Sequence, residues 1–158
     1  MKIIEDMKAT REETLSRFAL GDADLDRTYG PGKWSVRYVL HHIADAETVL
    51  FERIRRVLSE GRRVLWAFDQ DAWAQSLDYQ VRPMALSRDL YLAAREGAMF
   101  YASQSYDAKG HLEWVHSETG VRTLKDEFDK VVWHNAKHLE QIGWALARPP
   151  AEPGRPNG

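Results

Sequence analysis

The chain has 158 residues, of which 44% are hydrophobic and 29% charged, with a formal net charge of -2. That length supports one domain with its own core, and the near-balanced charge gives no reason to expect nucleic acid or an anionic membrane as partner. No cysteine is present, which excludes disulfides, thiolate ligands and a cysteine nucleophile.

No apolar run approaches the roughly 18 residues needed to span a bilayer. The opening Met1-Lys2-Ile3-Ile4-Glu5-Asp6 places acidic residues where a secretory signal needs an apolar core. The expected location is therefore the cytoplasm. Any metal would be held by histidine, carboxylate and water, which suits zinc, nickel, iron or manganese.

In chain order, Ile3, Ile4, Met7, Leu15, Phe18 and Ala19 recur at helical spacing and predict a first helix over Lys2–Leu20. Gly21-Asp22-Ala23-Asp24 ends it, and Tyr29-Gly30-Pro31-Gly32 is a break. Ser35 is placed to cap a second helix running to Glu60, with Gly61 as its stop. Its apolar arc runs through Val36, Val39, Leu40, Ile43, Ala46, Leu50, Ile54 and Val57. At about 100° per residue, His42 falls at the edge of that arc. His41 falls among Arg37, Asp45, Thr48 and Glu52 and is expected to face water.

Between Arg62 and Pro83 the periodicity breaks down. Trp66, Phe68, Trp73 and Tyr79 alternate with Asp69, Asp71 and Asp78, which reads as a long aromatic-acidic crossover with a short helical turn near Asp71-Ala72-Trp73. A third helix is expected over Leu86–Tyr106, with Leu86, Leu90, Ala93, Ala94, Gly97, Ala98 and Tyr101 inward; its small residues invite close approach of a neighbour. The segment His111–Arg122 reads as a β-hairpin turning at Gly120. Thr123 and Asp126 match a capping box, followed by a fourth helix over Leu124–Ala147 that Arg148-Pro149-Pro150 ends. Residues 1–148 are thus expected to form one four-helix bundle, all-α but for the hairpin, and residues 149–158 a flexible Pro/Gly-rich tail.

On the fourth helix, His134 and His138 are four residues apart, so about 40° separates them around the axis and both project from one face. Like His42, they lie at the edge of a buried arc. Bundle interiors commonly hold metal sites built from facing helices. Three neutral imidazoles leave an open position for water, the pattern of a catalytic site rather than a structural one.

Two stretches of the second helix carry a family resemblance: Gly32-Lys33-Trp34-Ser35-Val36-Arg37, then Val39-Leu40-His41-His42-Ile43-Ala44-Asp45. Together with Phe68-Asp69-Gln70-Asp71-Ala72-Trp73-Ala74 and Trp133-His134-Asn135-Ala136-Lys137-His138-Leu139, they resemble the DinB-like superfamily. Within it the YfiT-like group of metal-dependent hydrolases and bacillithiol transferases is the nearest pattern. The resemblance spans roughly residues 10 to 146. It implies an up-down-down-up bundle from a bacterial source, a homodimer, and a zinc or nickel ion held by His42, His134 and His138. It also implies a small-molecule substrate and a low-molecular-weight thiol as co-substrate, since characterised members include thiol transferases and mycothiol-dependent isomerases.

Three functional readings follow. A thiol S-transferase would activate the thiol at the ion; a hydrolase would activate water and need a nearby carboxylate base, for which Asp69 and Asp71 are candidates against a helix-capping role. A non-catalytic metal-binding protein would show a shallow, exposed site, whereas Trp66 and Trp73 are placed to wall a substrate cavity. Asp45 is read as a solvated partner of Arg37 or Arg53 in preference to a bond to His42. Gln141 shares the phase of His134. His116 is read as a surface residue in preference to one at a pocket mouth, and His111 has no role.

Overall fold

The computed structural model describes residues 1–148; the tail expected over 149–158 lies outside the described residues. Four long helices dominate: α1 (Lys2–Phe18), α3 (Val36–Glu60), α5 (Met84–Ser105) and α6 (Leu124–Ala147). A single turn, α2 (Asp22–Leu25), follows α1, and a short α4 (Gln70–Ser76) interrupts the crossover. The local signals act as expected at two starts. Ser35 accepts a hydrogen bond from the Tyr38 amide, and Thr123 and Asp126 form both halves of a capping box. Gly61 ends α3 at φ 74, a left-handed value that suits glycine.

Two core clusters fix the helix directions. At one end of the bundle Ile3 and Met7 of α1 pack with Val57 of α3, Ala102 of α5, and Leu124 and Phe128 of α6. At the other end Phe18 of α1 meets Val39 of α3, Tyr91 of α5 and Ile142 of α6. The first group takes the starts of α1 and α6 and the ends of α3 and α5. The second group takes the reverse, so α1 and α6 run one way and α3 and α5 the other: up-down-down-up. Each of α1 and α3 packs mainly on α5 and α6, which leaves α1 diagonal to α3.

Because α3 and α5 run parallel, the chain must return along the bundle between them. That crossover holds β1 (Val64–Leu65) and α4. β1 pairs in parallel with β2 (Glu113–His116), which pairs antiparallel with β3 (Gly120–Thr123). The expected hairpin is thus one part of a three-stranded sheet. Gly120 is not in the turn but opens β3 opposite His116, at φ 80.

The inward face of α5 differs from expectation. Leu86, Leu90 and Ala93 are exposed, whereas Ser87, Tyr91, Ala94, Arg95 and Ala98 are buried. The cause is Arg95, whose guanidinium is fully buried and forks onto Glu47 at 2.6 and 2.9 Å. It also donates to Asn135 Oδ1 at 2.8 Å and to the Met7 carbonyl at 3.0 Å. Asn135 Oδ1 further accepts from Tyr91, and its amide donates to Thr14. A polar cluster thus ties all four long helices together. The small stripe on α5 does admit a neighbour: a Cβ on Gly97 would lie 2.4 Å from the Phe51 ring of α3.

Candidate metal centre

Residue His42 projects from α3 towards α6, where His134 and His138 project back from successive turns. The three Nε2 atoms form a triangle, each 3.1 Å from the other two. His42 is fully buried and the other two are partly buried. Burial holds the imidazoles neutral, drawing His42 down to about 3 and His134 to about 2, with the neighbouring imidazoles reinforcing the shift; burial also lowers His138. A neutral ring presents a lone pair at one nitrogen.

At His138 that nitrogen is set by the network. Nδ1 lies 2.7 Å from Gln141 Oε1, an acceptor, so Nδ1 carries the proton and Nε2 faces the triangle with its lone pair. Among the described residues the Nε2 atoms have only one another as polar partners, and three imidazole nitrogens converging in a largely buried place are a ligand set for a cation. The triangle's centre is roughly 1.8 Å from each nitrogen, and metal–imidazole bonds are about 2.0–2.1 Å. His42, His134 and His138 together would hold a divalent ion there. The residues fit the group.

The His42 ring is also held from outside. The Trp34 ring lies 5.2 Å from that of His42, and Phe68 stacks near-parallel to it at 6.0 Å. Beside the triangle opens a cavity of about 270 Å³, to which His42, His134, Phe68, His116, Arg53 and Lys130 contribute. Phe68, not the two tryptophans, forms its aromatic wall: Trp66 is 79% exposed and Trp73 packs behind Phe68.

Several expected roles are corrected. Asp69 caps α4, its Oδ1 accepting from the amides of Asp71 and Ala72 at 3.1 and 3.0 Å. Asp71 is exposed in the first turn of that helix, and neither carboxylate lines the cavity. The general-base role expected of them has no geometric support. His41 does not face water: it is fully buried, with Nδ1 2.8 Å from Ser87 Oγ and its ring against Tyr79. The returning crossover covers that side of α3. The same cover buries Asp45, which accepts from the Tyr79 hydroxyl at 2.6 Å and from Arg82 at 2.9 Å, not from Arg37 or Arg53. His116 is buried in the cavity wall, not on the surface. Gln141 does turn towards the histidines, as its phase indicated.

Neither Arg53 nor Lys130 was expected at the cavity, yet both positions follow from phase. Arg53 lies eleven residues after His42, about 20° around α3. Lys130 lies one turn before His134, as His138 lies one turn after.

A helical bundle of this topology with three inward histidines defines a class of candidate metalloprotein. The family model described as DinB superfamily matches residues 6–142, and the chain belongs to that superfamily. The protein named Putative metal-dependent hydrolase OB0413, from Oceanobacillus iheyensis, is 28% identical over 147 residues, covering 93% of this chain and 83% of its own. YfiT of Bacillus subtilis, named in the same way, is 25% identical over 147 residues, covering 90% and 79%. The solved structure of YfiT superimposes with a TM-score of 0.81 at 24% identity, covering 90% of this chain and 82% of that one; it is described as having an unusual four-helix bundle topology. No described helix is long and apolar enough to cross a membrane.

Proposed function

We propose that this chain is a metal-dependent enzyme acting on a small molecule, with His42, His134 and His138 as the ligands of a zinc or nickel ion, and that it transfers a low-molecular-weight thiol. The observation that carries this reading is the triangle of Nε2 atoms 3.1 Å apart beside a cavity. When bound, the ion would lower the pKa of a thiol or water in its open position and so supply a nucleophile near neutral pH.

The remaining work belongs to the chain. Gln141 holds His138 in one tautomer and one orientation. Trp34 and Phe68 restrain His42, and the cavity receives the second substrate next to the histidines. The buried ligands and the adjoining cavity favour turnover over simple metal storage.

Hydrolysis is the second reading, favoured by the names of the relatives. It needs a base for water, and among the described residues the carboxylate lining the cavity is that of Glu118, which is exposed. That favours the thiol, whose proton is lost more easily. A turnover screen decides: bacillithiol, mycothiol, glutathione and coenzyme A are each paired with monochlorobimane, alongside ester and amide substrates. Conjugation with one thiol supports transfer. Failure of every thiol with hydrolysis of an ester or amide overturns it.

A further inference from the structure

The cavity beside the three histidines has a polar half that the metal reading leaves without a task. Arg53, Arg122 and Lys130 line it, with Glu118 the one carboxylate among the lining residues. Arg53 is buried and its charge is met beneath the cavity by Glu127, at 3.4 Å. Its Nη2 is taken by the Trp66 carbonyl at 2.7 Å.

Arg122 and Lys130 form no ion pair among the described residues. The two carboxylates in the neighbouring depression that Arg122 and Lys130 share are already engaged: Asp126 accepts from the Thr123 amide, and Asp129 from the Tyr106 hydroxyl. Lys130 is half-buried, a costly place for an ammonium, and the carboxylate that bears on it, Glu127, is already paired with Arg53. His116 completes the group. Its Nδ1 accepts from the amides of Glu118 and Thr119 at 3.2 and 3.3 Å, so in the neutral ring the proton sits on Nε2. The turn between β2 and β3 thereby makes His116 a donor, with no lone pair left to act as a base.

We propose that this half of the cavity is a carboxylate-binding subsite, in which Arg122, Lys130 and the His116 Nε2–H receive the carboxylate of a small substrate whose reacting group faces the three histidines. Among the residues lining this half of the cavity, Arg122 and Lys130 outnumber the exposed Glu118, which suits an anion; a guanidinium and a neutral N–H suit carboxylate oxygens. The subsite deepens the function proposed above and rests on that metal reading for what the substrate's other end meets.

Binding to the zinc-loaded protein is measured by amide shifts with 3-mercaptopropionate and with 3-mercaptopropanol, which differ in the carboxylate alone. Wild type is expected to prefer the acid by about tenfold. In the Arg122→Gln/Lys130→Gln double variant the two should bind about equally, with zinc content and helicity unchanged. A preference that survives in that variant means the ion reads the carboxylate, and the subsite is wrong; so does equal binding in wild type. Competition by inorganic phosphate at lower concentration than by acetate would overturn the carboxylate assignment. Propionate against propanol on zinc-free protein reads the cations alone. Failure of wild type to hold zinc therefore sinks the metal reading and still leaves the subsite to be judged.

Discussion

Replacing Glu47 with alanine leaves the Arg95 guanidinium buried without its carboxylate. Arg95 is fully buried and Glu47 is 2% exposed, and the fork between them closes at 2.6 and 2.9 Å. Removing one member of such a pair costs about 3–5 kcal/mol, because the remaining charge keeps its desolvation penalty. Arg95 would keep its bonds to Met7, Thr10 and Asn135, which places Glu47→Ala near the lower figure. With a urea m-value of about 2 kcal/mol/M, the midpoint falls by about 1.5 M. Glu47→Gln, which keeps the shape and one hydrogen bond, should lose about half as much. Equilibrium urea unfolding followed by far-ultraviolet circular dichroism makes the measurement. A loss under about 1 kcal/mol for Glu47→Ala, at an unchanged m-value, refutes the claim that this pair holds the bundle's centre together.

Two further outcomes are expected. Gln141→Leu frees the His138 ring from its one Nδ1 partner and should weaken metal binding by about 10–100-fold, as read by competition with a chromophoric chelator; unchanged affinity would remove Gln141 from the account. The Thr123 amide holds the Asp126 carboxyl below its ordinary value of 3.8, so the charged form stabilises the fold above that value and the contribution fades as pH falls through the folded-state pKa. Asp126→Asn should therefore cost up to about 1 kcal/mol at pH 7 and almost nothing near pH 2, in thermal melts at both pH values; an equal cost at both pH values would contradict the capping role.

What the sequence made legible is what depends on neighbours along the chain. The Ser35 cap, the Thr123/Asp126 box and the apolar arcs of α3 and α6 are local patterns, and the helices begin where those patterns place them. His42, His134 and His138 share the property of lying at the edge of a buried arc, which phase alone reveals. The misreadings are tertiary. His41 and Asp45 lie on a face that is polar by composition, and only the packing of the returning crossover, with Tyr79, Arg82 and Ser87, shows that it is covered. On α5 the buried face rotates towards Arg95, because a charge can be interior when Glu47 on another helix meets it. β1 has two residues and exists only through its partner strand. The cationic half of the cavity draws residues from α3, α6 and β3, and no single segment announces it.

The claim that His42, His134 and His138 hold a metal ion is tested most directly by elemental analysis of protein purified without chelators. About one zinc or nickel ion per chain is expected in the native protein and in His41→Ala, and far less in His42→Ala, His134→Ala and His138→Ala variants of unchanged helicity. Equal metal in native protein and in His138→Ala, at about one ion per chain, would show that the ion sits elsewhere.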